Sequence, residues 1–156
     1  TTSKQQLQSA INAARLDGST LCVAMVDIDH FKQVNDTYGH PMGDHVIRSL
    51  SWLLKQRVRK SDAVGRYGGE EFVVILPGSQ ADQAHTLLDR IRVDFARIRH
   101  PVDDGWFSSH FSGGIAQWNP DLDSEALLKR ADEALYQAKR AGRNQVQVLQ
   151  SVSQAK

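Results

Sequence analysis

Six apolar residues in a row, Leu21-Cys22-Val23-Ala24-Met25-Val26, run directly into Asp27-Ile28-Asp29. A run this short, with no polar alternation, predicts a strand buried on both faces, because a half-buried strand alternates apolar with polar. Such a strand needs helices above and below it, which constrains the chain toward an α/β sheet. The aspartates then stand where the strand leaves the core, at a sheet edge of the kind where α/β folds bind ligands. A single aspartate there reads as a solvated strand end. Further acids elsewhere in the chain change that reading.

The flanking sequence supplies the helices. Ser3 to Leu16 carries Leu7, Ile11 and Ala14 at helical spacing and ends at Asp17-Gly18. Helical patterns also cover Phe31–Thr37, Met42–Val58, Gln80–Arg99 and Glu125–Ala141, the last stopping at Gly142 as a C-terminal cap requires. Ala63–Tyr67 and Phe72–Leu76 read as strands joined through Gly68-Gly69-Glu70-Glu71 in a β-hairpin, closed by Pro77. A strand lies within Trp106–Gln117, and a last short one holds Val146 and Val148. Helices alternating with strands around one tight hairpin predict an α/β fold with a central mixed sheet flanked by helices.

At 156 residues the chain suits one domain with a sizeable core. A net charge of +1 gives no bulk attraction to nucleic acid, and no apolar run is long enough to span a bilayer. The one cysteine, Cys22, lies in the apolar run and has no intrachain partner, which fits a reducing cytosol. The expected location is cytoplasmic, with membrane anchoring of a parent protein left open. The chain opens at Thr1 rather than methionine, as a piece cut from something longer does.

Two adjacent glutamates at a hairpin tip are poor turn formers, while the glycines before them let another molecule approach closely. If the two strands are neighbours, Asp27, Glu70 and Glu71 converge, and converging carboxylates repel unless protonated or neutralised by a cation. Hard oxygen donors suit Mg²⁺, which keeps positions open for phosphate oxygens. Paired ions of this type activate a hydroxyl and stabilise a leaving group in phosphoryl or nucleotidyl transfer. The spacing does not name the substrate.

The Arg66-Tyr67-Gly68-Gly69-Glu70-Glu71-Phe72 segment resembles the signature hairpin of GGDEF domains, the diguanylate cyclase family, in its Glu-Glu variant. Val26 to Asp36, Tyr38 to Asp44, Ser112 to Ala116 and Ala131 to Asn144 resemble further segments of that family, in its order and approximate spacing. The resemblance implies a nucleotide-cyclase or palm-like fold with a ferredoxin-like core, the sheet mostly antiparallel. It implies one bacterial second-messenger domain over 1–156, excised from a larger signalling protein with an N-terminal sensory or dimerisation domain. The family's opening Asp-x-Leu-Thr and Asn-Arg segment is not seen in this chain. The implied activity condenses two GTP into cyclic di-GMP and two pyrophosphates at a homodimer interface, with two Mg²⁺ or Mn²⁺ ions per active site.

Residue by residue, the resemblance makes Asp27, Glu70, Glu71 and the Ile28 carbonyl metal ligands. Glu70 or Glu71 takes the 3′-hydroxyl proton, and Lys32 neutralises charge in the transition state. Backbone N–H groups at His30 and Phe31 cradle phosphate, Lys139 and Arg143 contact the triphosphate, and Asn35 and Asp44 recognise guanine with His40 between them. A carboxylate accepting from guanine N1–H and its 2-amino group, beside an amide, suits that base chemically. Arg59-Lys60-Ser61-Asp62 has the R-x-x-D form of the family's inhibitory product site, which Arg90 completes. His30 stands where the family often has an aromatic or apolar residue. Phe111, Trp106 and Trp118 flank the Ser-Gly-Gly strand and are expected to pack in the core or at its edge. The competing expectation is an inactive GGDEF domain that binds GTP or cyclic di-GMP; an adenylyl cyclase or polymerase palm shares the acidic chemistry.

Overall fold

A computed structural model describes residues 2–149; residue 1 and residues 150–156, the ends of the expected domain, lie outside the described residues. The order of elements is α1 (Thr2–Asp17), β1 (Leu21–Ile28), α2 (Phe31–Tyr38), α3 (His40–Arg57), β2 (Ala63–Arg66) and β3 (Glu71–Pro77). There follow α4 (Ala81–Ala96), β4 (His100–Val102), β5 (Gly105–Phe107), β6 (Phe111–Gln117), α5 (Ser124–Arg140) and β7 (Val146–Val148).

The main sheet has strand order β2-β3-β1-β6-β7, antiparallel except for the β6–β7 pair, so the expected mostly antiparallel mixed sheet is what forms. Every residue of β1 is buried, as a central strand covered on both faces must be. Its alternate residues feed two cores. Cys22, Ala24, Val26 and Ile28 pack beneath α2, α3 and α4, while Leu21, Val23 and Met25 pack with α1 and α5. The result is three layers with the acidic end of β1 at the rim.

Helix α5 lies unusually close to the sheet. A Cβ on Gly114 would fall 2.0 Å from the Leu135 nitrogen and 2.4 Å from the Ala131 oxygen. The helix ends as expected at Gly142, which has φ +123°; Arg143 N–H donates to the Ala138 carbonyl at 3.0 Å and Gly142 N–H to that of Lys139 at 3.4 Å.

Two expectations need correction. The helix predicted over Gln80–Arg99 stops at Ala96, and the stretch that follows forms a separate β4–β5 hairpin. Pro101 cannot continue a helix and pushes His100 toward extended backbone, so the apolar helical period ended earlier than its extrapolation. Phe111 and Trp118 are buried, but Trp106 sits on β5 with 53% exposure and the Arg99 guanidinium 4.6 Å over its ring. A three-residue strand leaves no period by which sequence could separate its outward side from its inward one.

Candidate active site

Strand register brings the acids together. Asp27 pairs with Glu71 on one side and with Ser112 on the other, and Ile28 N–H donates to the Glu70 carbonyl at 3.3 Å. Directly opposed residues share a sheet face, with Cβ atoms about 5 Å apart. Asp27 is buried; its Oδ2 forms an ion pair with Lys139 Nζ from α5, and its Oδ1 is buried without a partner among the described residues. Burial pushes the Asp27 carboxyl above its ordinary value, with Asp29 adding to the effect and Lys139 and Arg143 opposing it. Glu70 and Glu71 are pushed up too, first by burial and then by the Asp27 charge. Three crowded carboxylates are stable as anions only with cationic help.

Lys139 supplies part of that help. Among the described residues no three His, Cys, Asp or Glu side chains gather closely enough to hold a metal ion unaided. Asp27 leans onto Lys139, and Glu71 folds back so that its Oε1 lies 2.9 Å from the position of a Cβ on Gly68. The unpartnered Asp27 Oδ1 and the neighbouring glutamates are hard oxygen donors, so the set fits a divalent cation that takes its remaining ligands from water or phosphate.

A carboxyl raised in the folded state costs stability as pH climbs from the ordinary carboxylate range through the raised values, and the loss persists above them. Mg²⁺ binding requires the ionised form and is expected to restore stability at pH 8, by about 2–3 kcal/mol at a hundredfold excess over Kd. At pH 5 the effect shrinks. Thermal denaturation with and without Mg²⁺ checks this; equal shifts at both pH values count against the carboxylate site.

Asp29 has a different role, which the sequence did not single out. Its Oδ1 accepts from Ser112 Oγ at 2.7 Å and its Oδ2 from Asn144 N–H at 2.9 Å. It thereby ties the turn after α5, where Arg143 and Asn144 adopt φ of 64° and 50°, to the end of β1. Asp29 is a strut that holds the Arg143–Asn144 turn against the end of β1. The matched Ser-Gly-Gly and Gly-Arg-Asn segments hinted at importance, but nothing local says that they meet.

At the other side of the β1 end, His30 is the exposed, left-handed residue (φ 55°) preceding α2. The N–H groups of His30, Phe31 and Lys32 donate to no acceptor among the described residues, leaving orphan donors at a helix start. Lys32 is exposed and pairs with Asp36 at 2.9 Å, so its ammonium is not brought to the carboxylates. Asn35 meets α3 at the α2–α3 corner, at Gly43, the residue before Asp44. Asn35 Oδ1 is buried without a partner among the described residues, 1.9 Å from where a Cβ on Gly43 would be, and Asp44 follows Gly43 and is exposed. Phe31 is half-buried against the same glycine, and His40 is exposed at the first position of α3.

Arg59 and Asp62 close a tight turn away from this centre. Arg59 Nη2 reaches Asp62 Oδ1 at 2.8 Å, the Pro77 carbonyl at 2.7 Å and Ser79 Oγ at 3.2 Å, and the Asp62 side chain is wholly covered. Arg90 is exposed on α4, and no hydrogen bond or ion pair among the described residues links it to that turn. Both motif residues thus already have a structural use.

The acidic end of an antiparallel core strand, set opposite a Gly-Gly-Glu-Glu hairpin, defines a nucleotide-cyclase-like domain. The family model described as "Diguanylate cyclase, GGDEF domain" matches residues 1–145. The chain belongs to the GGDEF domain family. It is 39% identical over 144 residues to the diguanylate cyclase DgcP of Pseudomonas aeruginosa, covering 92% of this chain and 22% of that protein. It is 42% identical over 144 residues to the response regulator PleD of Caulobacter vibrioides, covering 90% of this chain and 32% of PleD. The chain therefore spans about a fifth to a third of these relatives. Among solved structures, the GGDEF domain of DgcB from Caulobacter crescentus in complex with c-di-GMP superposes with a TM-score of 0.90 at 36% identity, over 95% of this chain and 86% of that one. The active GGEEF domain of a diguanylate cyclase from Vibrio cholerae gives 0.88 at 31%, over 95% and 94% of the two chains. Family membership implies chemistry that depends on a divalent metal. No helix among the described residues is long and apolar enough to cross a membrane.

Proposed function

We propose that this domain is a diguanylate cyclase that condenses two GTP into cyclic di-GMP and two pyrophosphates. The observation that carries it is the buried Asp27, with one unpartnered oxygen, paired opposite Glu71 beside Glu70 in a chain of this family. Its partner-free donors at His30 to Lys32 receive phosphate, and Lys139 and Arg143 hold the triphosphate. Asn35 and Asp44, with His40 nearby, take the guanine edge. Glu70 or Glu71, each with a raised carboxyl, accepts the 3′-hydroxyl proton as that oxygen bonds to the α-phosphorus of the second GTP and the bond to pyrophosphate breaks. Asp27, Glu70, Glu71 and the Ile28 carbonyl would hold two Mg²⁺ or Mn²⁺ ions, whose chemistry there would be to neutralise the carboxylates and phosphates and to acidify the hydroxyl. Lys32 must turn from Asp36 to stabilise charge in the transition state.

Each domain presents one GTP, so two copies must face one another, and a homodimer is the working unit. We assign 1–156 to one such domain of a larger protein whose N-terminal sensory or dimerisation part brings the copies together. DgcB is also known with its coiled coil attached, and SiaD of Pseudomonas aeruginosa with an activator, which supports that organisation.

Incubation of the domain at high concentration with GTP and Mg²⁺ is expected to yield cyclic di-GMP and pyrophosphate. Tight nucleotide binding without product, even after fusion to a dimerising coiled coil, would favour a non-catalytic binding module instead.

Product inhibition is assigned to Arg59 and Asp62, with Arg90 as a further contact. Arg59→Ala is expected to relieve inhibition by added cyclic di-GMP while keeping the initial rate. It also frees the covered Asp62 from its guanidinium, lowering stability by about 1 kcal/mol given the exposure of Arg59. Unchanged inhibition in progress curves rules out the assignment.

A further inference from the structure

The β4–β5 hairpin takes no part in the chemistry above, yet it touches both helices that carry the guanine residues. Phe107 of β5 lies face to face on Tyr38, the last residue of α2, with ring centroids 4.0 Å apart and planes 6° apart. His100 of β4 is fully buried and meets His45 of α3 edge-on, centroids 5.4 Å apart. Across the hairpin, His100 and Phe107 are strand partners with ring centroids at 5.2 Å. One continuous row of rings therefore runs from the end of α2, through the hairpin, to the start of α3.

Both grips fall beside the base pocket. Tyr38 is three residues after Asn35, about one helical turn. His45 directly follows Asp44. The spacing of the two helices is sensitive at this point, because Asn35 Oδ1 fills the space that any side chain at position 43 would need. A small shift of α3 against α2 changes the Asn35–Asp44 separation directly, and an ångström of misplacement is enough to spoil recognition. Nothing else bridges the two helices in this way among the aromatic contacts of the described residues.

The hairpin itself depends on the helices. It is a two-stranded sheet of three-residue strands, paired to no other strand, and such a ribbon has little stability alone. Neither ring nitrogen of His100 has a hydrogen-bond partner among the described residues. Burial, and then His45, hold its pKa below the ordinary value, so it packs as a neutral ring. Its contribution in that place is its aromatic surface, not a polar bond.

We propose that the β4–β5 hairpin is a positioning element for purine recognition, in which Phe107 and His100 hold α2 and α3 at the separation that lets Asn35 and Asp44 grip one guanine. This rests on the assignment of those two residues to guanine. Coupling is reciprocal: if the hairpin orders the pocket, a nucleotide in the pocket orders the hairpin.

The test compares binding of GTP and ITP, which lacks the 2-amino group, by calorimetry with Ca²⁺ in place of Mg²⁺ to hold back turnover. Phe107→Leu is expected to weaken GTP binding about tenfold and to narrow the GTP-over-ITP preference, because it removes the stacked ring. Phe107→Tyr keeps that ring and should restore both. In turnover the leucine variant raises KM with kcat within about twofold, the signature of lost ground-state binding rather than lost chemistry. Asn35→Ala serves as the reference. If it weakens GTP binding while Phe107→Leu leaves both nucleotides unaffected, the positioning role is overturned. If Asn35→Ala itself has no effect, the guanine assignment fails and takes the proposal with it. A measurement on the unmodified chain needs no variant to fold: GTP should slow hydrogen exchange at the amides of residues 100–107, and unchanged exchange there overturns the coupling.

Discussion

Asp27→Asn is expected to reduce cyclic di-GMP formation by at least about a thousandfold, a loss of ~4 kcal/mol in the barrier term, while leaving the domain as stable as before or more so. The two halves of that result have one cause. In the folded chain the Asp27 carboxyl is raised above its ordinary value by burial, so its ionised form opposes folding at neutral pH despite the Lys139 contact. An asparagine of the same shape removes the charge and with it that cost. It also removes the anionic donor to which we assign the metal. Initial rates of pyrophosphate release, set beside thermal denaturation curves, separate the two effects. Near-normal turnover would end the assignment of Asp27 as a metal ligand. A collapse in stability would mean that Asp27 belongs to the framework, as Asp29 does.

Gly114→Ala should do the reverse and act through the fold. The added methyl would meet main-chain atoms of α5 at 2.0 Å and 2.4 Å, where no flexible side chain is available to move aside. The helix must lift from β6, at a cost of about 3 kcal/mol or more. For a chain of this size that lowers Tm by roughly 6–12 °C. Gly69→Ala is the natural comparison: nothing lies within 4 Å of the added atom, and the expected change is within about 0.5 kcal/mol. If both variants melt alike, α5 does not rest directly on the sheet. Because α5 also carries Lys139, the loss of packing at Gly114 should reduce activity along with stability.

The difference between these substitutions marks how far the sequence was legible. Leu21 to Val26 announced a central strand because continuous apolarity has few other uses at that length. Gly142 announced the end of α5 because an L-residue rarely adopts the backbone found there. The paired Gly-Gly and Glu-Glu at 68–71 marked the hairpin and the acidic end of the site. Such signals are local, and local chemistry was sufficient to read them. The β4–β5 hairpin escaped notice because its strands are shorter than the period that reveals a strand, and the helical pattern before it ran on past its true end.

The sequence by itself determined that a core strand ends in carboxylates and that a glycine-rich acidic turn follows some forty residues later. Tertiary structure alone decided which atoms meet. Lys139 reaches Asp27 across 112 residues, and Asn144 reaches Asp29 across 115. Register in an antiparallel sheet is chosen by what each face can bury, and a slip of one residue would turn Glu71 away from Asp27. That choice is made by the whole core at once, so no local pattern could have stated it.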